Sequence, residues 1–217
     1  MPITTVLFDL DNTLYPPSSG LMNGIDVRIG EYVQKLLGLD EAEARLIQKR
    51  YYAEYGTTLH GLQNNHAVDP DHYLAFVHDV AIEAFLAADA ELDRLLSELR
   101  ASKAVFTNAP ERYARRVLEV LEVERHFAQI FDIRFAGLRP KPNPAVYHSV
   151  LDALGIAGAA AILVEDTAKN LPPARALGMT TILVGEDSAH DAELADYSVP
   201  DVLAAIRIAI ELERAQG

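Results

Sequence analysis

The sequence predicts an α/β fold: a doubly wound, Rossmann-like parallel sheet with an all-helical segment inserted after the first strand. Three observations carry that prediction. Short apolar, β-branched runs at residues 5–8, 103–107, 160–165 and 180–184 alternate with helical spacings, a texture that implies parallel pairing through right-handed crossovers. Residues 16–88 show helical spacing alone, with no strand signal. Several of the apolar runs end abruptly in polar residues, and open α/β sheets place their ligands at that carboxyl edge.

The first run, Thr5-Val6-Leu7-Phe8, reads as a buried strand closed by Asp9-Leu10-Asp11-Asn12-Thr13. Tyr15-Pro-Pro-Ser-Ser-Gly20 then breaks the pattern with turn formers. Leu21, Ile25, Ile29, Val33 and Leu36 predict a helix with Ser18 or Ser19 as N-cap and Gly38 near its stop. Asp40 predicts the N-cap of a second helix, with Glu41 and Glu43 where the helix dipole favours them, running to Gly56. Residues 57–62 read as a loop, and Asp69-Pro70 as the start of a helix reaching about Ile82.

From Ala90 the pattern alternates. Leu92, Leu95, Leu96 and Leu99 make a helix face, followed by the strand Lys103–Thr107. A helix opens with Pro110 in its first turn and buries Ala114, Val117, Leu118 and Leu121. Ile130 to Phe135 reads as a short strand. Asn143-Pro144 starts a helix that Gly155 ends, and Ala160–Glu165 is a buried strand. Leu171–Leu177 is a helix closed by Gly178, Thr180–Val184 a strand, and Val202–Leu212 an amphipathic helix. The expected domains are a core of residues 1–15 and 89–217 and a helical cap of residues 16–88.

Composition narrows the chemistry. The chain has 217 residues and a formal charge of −13, which argues against a nucleic-acid polymer as partner, because phosphate contacts need clustered Lys and Arg. Cysteine is absent, so thiolate nucleophiles and thiolate metal sites are excluded. No apolar run approaches the roughly 18 residues a membrane helix needs, and no basic region leads into an apolar signal core. The expected compartment is the cytoplasm.

Four loops should converge if every strand's carboxyl end faces one rim. The first brings Asp9 and Asp11. The second ends in Thr107-Asn108 at a helix start, offering a hydroxyl and free backbone N–H groups suited to phosphate. The third is Arg139-Pro-Lys141-Pro-Asn-Pro144, where prolines stiffen the backbone around one ammonium. The fourth is Glu165-Asp166-Thr-Ala-Lys-Asn170. Adjacent carboxylates after a buried strand are costly unless paired, and with Asp9 they make an oxygen-rich site suited to Mg²⁺.

Asp9-x-Asp11-x-Thr13, Thr107, Lys141 and Glu165-Asp166-x-x-x-Asn170, in that order, resemble the four motifs of the haloacid dehalogenase-like hydrolase superfamily. The helical insert resembles its C1-type cap. Asp11-Asn-Thr-Leu-Tyr-Pro16 and Tyr51-Tyr-Ala-Glu-Tyr55-Gly-Thr-Thr58-Leu-His60-Gly-Leu, with His66 and Tyr73, are similar to the pyrimidine 5′-nucleotidase branch.

The resemblance implies a Mg²⁺-dependent phosphomonoesterase acting on a small phosphorylated metabolite, with a nucleoside 5′-monophosphate as the expected substrate. Asp9 would be the nucleophile and Asp11 the general acid and base. Asp9, the Asp11 carbonyl and Asp166 would hold the metal, with Glu165 close by, while Thr107, Asn108 and Lys141 hold phosphoryl oxygens. Tyr15, Tyr55, Thr58, His60 and His66 are candidates to touch base or sugar. His60, His66, His72 and His78 recur every six residues, which keeps no helical face, so they read as separate histidines rather than a metal cluster. Phosphoglycolate phosphatase and β-phosphoglucomutase share Asp11 and stay open as alternatives. A haloacid dehalogenase, with no oxygen leaving group to protonate, lacks that second Asp. A receiver-type phospho-acceptor lacks the long helical insert.

Overall fold

The computed structural model describes residues 1–185 and 193–215. It divides into two compact units, one of Met1–Ser18 with Leu86–Gly217 and one of Ser19–Phe85.

The first unit is built on a parallel sheet of β1 (Thr5–Phe8), β2 (Ser102–Phe106), β3 (Phe127–Phe131), β4 (Ala161–Glu165), β5 (Thr180–Val184) and β6 (Tyr197–Val199). Their order is β3-β2-β1-β4-β5-β6. β1 is therefore flanked on both sides, which explains why all four of its residues are apolar or β-branched and buried. Leu7, Ala104, Phe106 and Leu163 join the buried face of α7 (Pro144–Leu154) and α8 (Leu171–Ala176). α9 (Val202–Ala215) packs on β4, β5 and β6 and against α5 (Ala90–Glu98). The parallel α/β core is as the sequence predicts.

The second unit holds α1 (Leu21–Leu37), α2 (Glu41–Tyr55), α3 (Thr58–Asn65) and α4 (Pro70–Val77). Asp40 caps α2 in a reciprocal capping box with Glu43. Tyr32 packs edge-on to Tyr73 at 4.9 Å between ring centres, and the Arg28 guanidinium lies 3.9 Å above the Phe76 ring. Gln48 is buried and donates to both the backbone and the carboxylate of Asp26, tying α2 to α1. Among the described residues no helix is long and apolar enough to cross a membrane.

Several local expectations are corrected. Residues 58–65 form a helix rather than a loop, because the Thr57 hydroxyl accepts the His60 N–H as N-cap. The N-cap of α1 is Gly20 in the left-handed region, while Ser19 accepts the Leu21 N–H from one residue earlier. α4 stops at Val77, and Ile82 lies in a separate short 3₁₀ turn. Pro110 is the N-cap of α6 (Glu111–Val120) instead of lying in its first turn. β3 sits earlier than Ile130–Phe135, because Asp132 accepts the N–H groups of Arg134 and Phe135 and turns the chain. β6 was missed: it is three residues long, with two of them exposed.

Candidate active site

Sheet register builds the site. Phe8 is paired with Val105 on one side and Val164 on the other. One residue further, Asp9, Phe106 and Glu165 stand in a row across three adjacent strands. Lys141 reaches that row from its proline-flanked loop. Its Nζ donates to Asp9 Oδ1, the Phe106 carbonyl and Glu165 Oε2, each at 2.7 Å. Three acceptors match the three ammonium protons. Lys141, Asp9 and Glu165 are all buried. The lysine the sequence places beside phosphate or a nucleophile thus spends its donors on carboxylates and a carbonyl.

The other oxygens of the row are placed too. Asp9 Oδ2 accepts the Thr13 hydroxyl at 3.1 Å, which explains why a threonine follows the acidic pair. Asn12 makes the turn between them possible by adopting φ +60, a conformation Asn tolerates better than most residues. Glu165 Oε1 accepts the Thr167 N–H and Asp166 Oδ1 the Thr167 hydroxyl. Carboxylate oxygens of Asp9, Glu165 and Asp166 lie within 4.8 Å of one another.

Electrostatics follow from this crowding. Burial pushes Asp9 up to about 6, Glu165 adding to the rise and Lys141 opposing it. Burial likewise lifts Asp166 to about 6, with the Asp9 charge adding to it. Glu165 also rises to about 6, first through burial, with Lys141 opposing. Burial alone would lower Lys141, yet the Asp9 and Glu165 charges hold it well above the usual lysine range. One cation faces three carboxylates, so the set carries excess negative charge. An all-oxygen donor set with surplus charge fits a hard divalent ion such as Mg²⁺. Asn170, buried near the fourth loop, leaves its Oδ1 without a hydrogen-bond partner.

Asp11 lies outside the Lys141 cluster. Its Oδ1 accepts the Tyr15 hydroxyl at 2.5 Å and the Tyr113 hydroxyl at 2.8 Å. Burial and the nearby Asp9 charge raise its pKa to about 6. Tyr15, a candidate for substrate contact, is buried and puts its hydroxyl here. Tyr113 was missed by sequence reasoning, where the α6 pattern marked only apolar positions. Its signal is the i+2 offset from Glu111, which places it in the first turn after the second loop.

Thr107 accepts the Ala109 N–H at its hydroxyl oxygen, which leaves the hydroxyl proton for another acceptor. The Asn108 side chain is occupied with Lys141: Oδ1 accepts the Lys141 N–H, and Nδ2 donates to the Lys141 carbonyl. Its amide therefore braces the third loop.

In the unit Ser19–Phe85 the remaining candidates are close in space. Tyr55 stacks on His60 with ring centres 6.5 Å apart, and its hydroxyl accepts from Asn65. His60 Nδ1 has no hydrogen-bond partner. His66 shares a 2.8 Å hydrogen bond with Tyr51, while the buried Thr58 hydroxyl donates to the Gln48 carbonyl. His72 pairs with Tyr32 and His78 with the Leu74 carbonyl.

Residues 3–178 match the family model for haloacid dehalogenase-like hydrolases. The chain belongs to that family. Phosphate metabolism protein 8 of Saccharomyces cerevisiae is 28% identical over 204 residues, covering 86% of this chain. The chain spans only 63% of that yeast protein's length. A phosphoglycolate phosphatase of Rhodospirillum rubrum is 28% identical over 200 residues, covering 82% of this chain and 78% of its own. Among solved structures, a haloacid dehalogenase-type phosphatase from Thermococcus onnurineus superposes with a TM-score of 0.61 at 19% identity, covering 95% of this chain and 97% of that one. L-2-haloacid dehalogenase of Xanthobacter autotrophicus superposes with a TM-score of 0.56 at 16% identity, covering 95% of this chain and 98% of that one. At these identities the shared property is the fold.

Proposed function

We propose that this member of the haloacid dehalogenase-like family is a phosphomonoesterase working through an aspartyl-phosphate. The nucleophile is Asp9, and the preferred substrates are nucleoside 5′-monophosphates, pyrimidine ones first. The observation that carries the reading is the row of Asp9, Lys141 and Glu165 with Asp11 set apart on its own donors. Two carboxyls in different surroundings suit two different tasks.

Asp9 attacks phosphorus, and the bond from phosphorus to the leaving oxygen breaks as the new one forms. Asp11 gives that oxygen a proton, then takes one from the water that hydrolyses the aspartyl-phosphate. The Thr107 hydroxyl and the Asn108 backbone N–H receive phosphoryl oxygens. Lys141 keeps Asp9 oriented and offsets charge. Asp9, the Asp11 carbonyl and Asp166 would hold Mg²⁺, with Glu165 adjacent. When bound, the ion supplies positive charge to phosphoryl oxygens and keeps Asp9 ionised.

The phosphatase-named relatives support the reaction class. The nucleotidase preference rests on the sequence words around Asn12–Tyr15 and Tyr51–Leu62. It is supported by the Tyr55–His60 ring pair within that stretch, aromatic chemistry suited to a base. The R. rubrum relative makes 2-phosphoglycolate the second substrate to try.

The test is phosphate release from a panel of nucleoside monophosphates, 2-phosphoglycolate and hexose phosphates, with and without Mg²⁺, beside an Asp9→Asn control. Pyrimidine monophosphates should be cleaved fastest and the control should be inert. Absence of Mg²⁺-dependent release from every member would end the phosphatase reading. Preference for another member would correct the substrate alone.

A further inference from the structure

Tyr15 and Tyr113 come from distant parts of the chain, 98 residues apart, yet their hydroxyls lie 3.2 Å from each other and both reach one carboxylate oxygen. Each is almost fully buried, at 2% exposure. A buried phenol needs a partner, but one acceptor for each would satisfy that need. Here both protons go to Asp11 Oδ1, while Oδ2 takes no hydrogen bond among the described residues. Two donors fix both the position and the rotation of the carboxyl group, because a carboxyl held at one point by one donor can still swing.

The supports of the two phenols are themselves fixed. Tyr113 sits in the first turn of α6, whose leading N–H at Glu111 donates to the buried Asp132 at the end of β3. That helix follows directly from the Thr107-Asn108 loop. Tyr15 is four residues beyond Asp11, across the Asn12 turn. The phenol pair thus links the first loop to the element that carries the second.

We propose that Tyr15 and Tyr113 are positioning residues that hold Asp11 by Oδ1 and leave Oδ2 as the oxygen that exchanges the proton with the leaving group. The inference rests on Asp11 being the proton donor of the proposed phosphatase reaction. The two hydroxyls act through Asp11, so their worth depends on how much the leaving oxygen needs a proton. An alkoxide, such as the 5′-oxygen of a nucleoside, needs one. A dinitrophenolate does not.

The experiment compares Tyr15→Phe, Tyr113→Phe and the double variant with the native protein, using the best nucleoside monophosphate and 2,4-dinitrophenyl phosphate in Mg²⁺. Tyr147→Phe, which removes a buried hydroxyl bonded to the Asn170 carbonyl, controls for loss of a buried hydrogen bond. Each single variant should lose about tenfold in kcat/KM on the nucleotide, the parameter that ends at aspartyl-phosphate formation and so leaves out the water step shared by both esters. The double variant should lose about a hundredfold, within the range general acid catalysis supplies. The loss on the dinitrophenyl ester should be about twofold or less. Tyr147→Phe should affect both substrates alike, and melting curves verify that each variant is folded.

Equal losses on both substrates in folded Tyr15 and Tyr113 variants would overturn the positioning role. So would faster nucleotide turnover, since the phenols would then restrain Asp11 away from its work. If the native protein cleaves neither ester, the phosphatase reading itself fails, a result distinct from either.

Discussion

The side chain of Asn108 and the backbone of Lys141 exchange two hydrogen bonds, at 2.8 Å and 3.3 Å. They join the loop after β2 to the loop that carries the buried ammonium. Asn108→Ala removes both and leaves the Lys141 N–H without its partner. The expected result is about 1–2 kcal/mol of lost stability and a kcat reduced at least about tenfold, because small displacements at a reacting centre are costly. Denaturant unfolding and steady-state kinetics check the two halves separately. Unchanged kcat would show that Lys141 is held adequately by Asp9 and Glu165.

Lys141 answers two buried carboxylates. Lys141→Met keeps the length of the side chain and removes the charge, leaving Asp9 and Glu165 to repel each other. At pH 8 without divalent cation the loss should be about 3–5 kcal/mol, the range seen when a buried pair is broken. At pH 5 both carboxyls, already raised to about 6 with the lysine present, take up protons and the loss should shrink. Urea midpoints at the two pH values decide the matter. Equal losses would mean that packing, not charge, dominates.

The acidic set also predicts a pH signature in the native protein. Asp9, Glu165 and Asp166 titrate at about 6 in the fold, above the roughly 4 of an unfolded chain. The folded state therefore binds these protons more tightly, and the stability they give is present at low pH and lost as pH rises through about 6. Without divalent cation the melting temperature should fall between pH 5 and pH 8. Mg²⁺ should raise it more at pH 8 than at pH 5, because protons compete with the ion for the same oxygens. Asp166→Asn should flatten both trends and abolish turnover. A Mg²⁺ effect independent of pH would argue against these three residues as its ligands.

Gly158 is fixed by contact rather than by turn geometry. A Cβ there would fall 2.0 Å from the Leu177 carbonyl oxygen, a backbone atom that cannot rotate away. Gly158→Ala should cost about 2 kcal/mol or more by parting the start of β4 from the end of α8. Thermal unfolding measures it; a neutral substitution would show that this junction shifts freely.

Much of the site was legible in sequence because its parts are short and local. The apolar run closed by Asp9 and Asp11, the proline-flanked Lys141 and the Glu165-Asp166 pair each carry their own signal, and parallel topology brings them to one edge. What the sequence concealed was partnership over distance. Asn108 read as a phosphate ligand through its backbone at a helix start, and nothing local foretold that its side-chain amide is paired with Lys141. Tyr15 read as a substrate contact, and Tyr113 did not stand out at all, because nothing local reveals that two phenols 98 residues apart share one carboxylate oxygen. The short α3 was hidden by its Thr and Gly content, since a helix of eight residues rests on its cap and its packing more than on propensity.

The central place of β1 bears on the order in which the protein is made. Of these strands β1 leaves the ribosome first, but its second neighbour, β4, begins only at Ala161. At about 5–20 residues per second the gap corresponds to roughly 8–30 s of synthesis. During that interval Thr5–Phe8 has at least one unpaired edge, and Asp9 stands without the Glu165 that later flanks it. Of these strands the one at the heart of the sheet is made first and is among the last to be enclosed, so the nascent chain carries an apolar, hydrogen-bonding edge until Ala161–Glu165 has been translated.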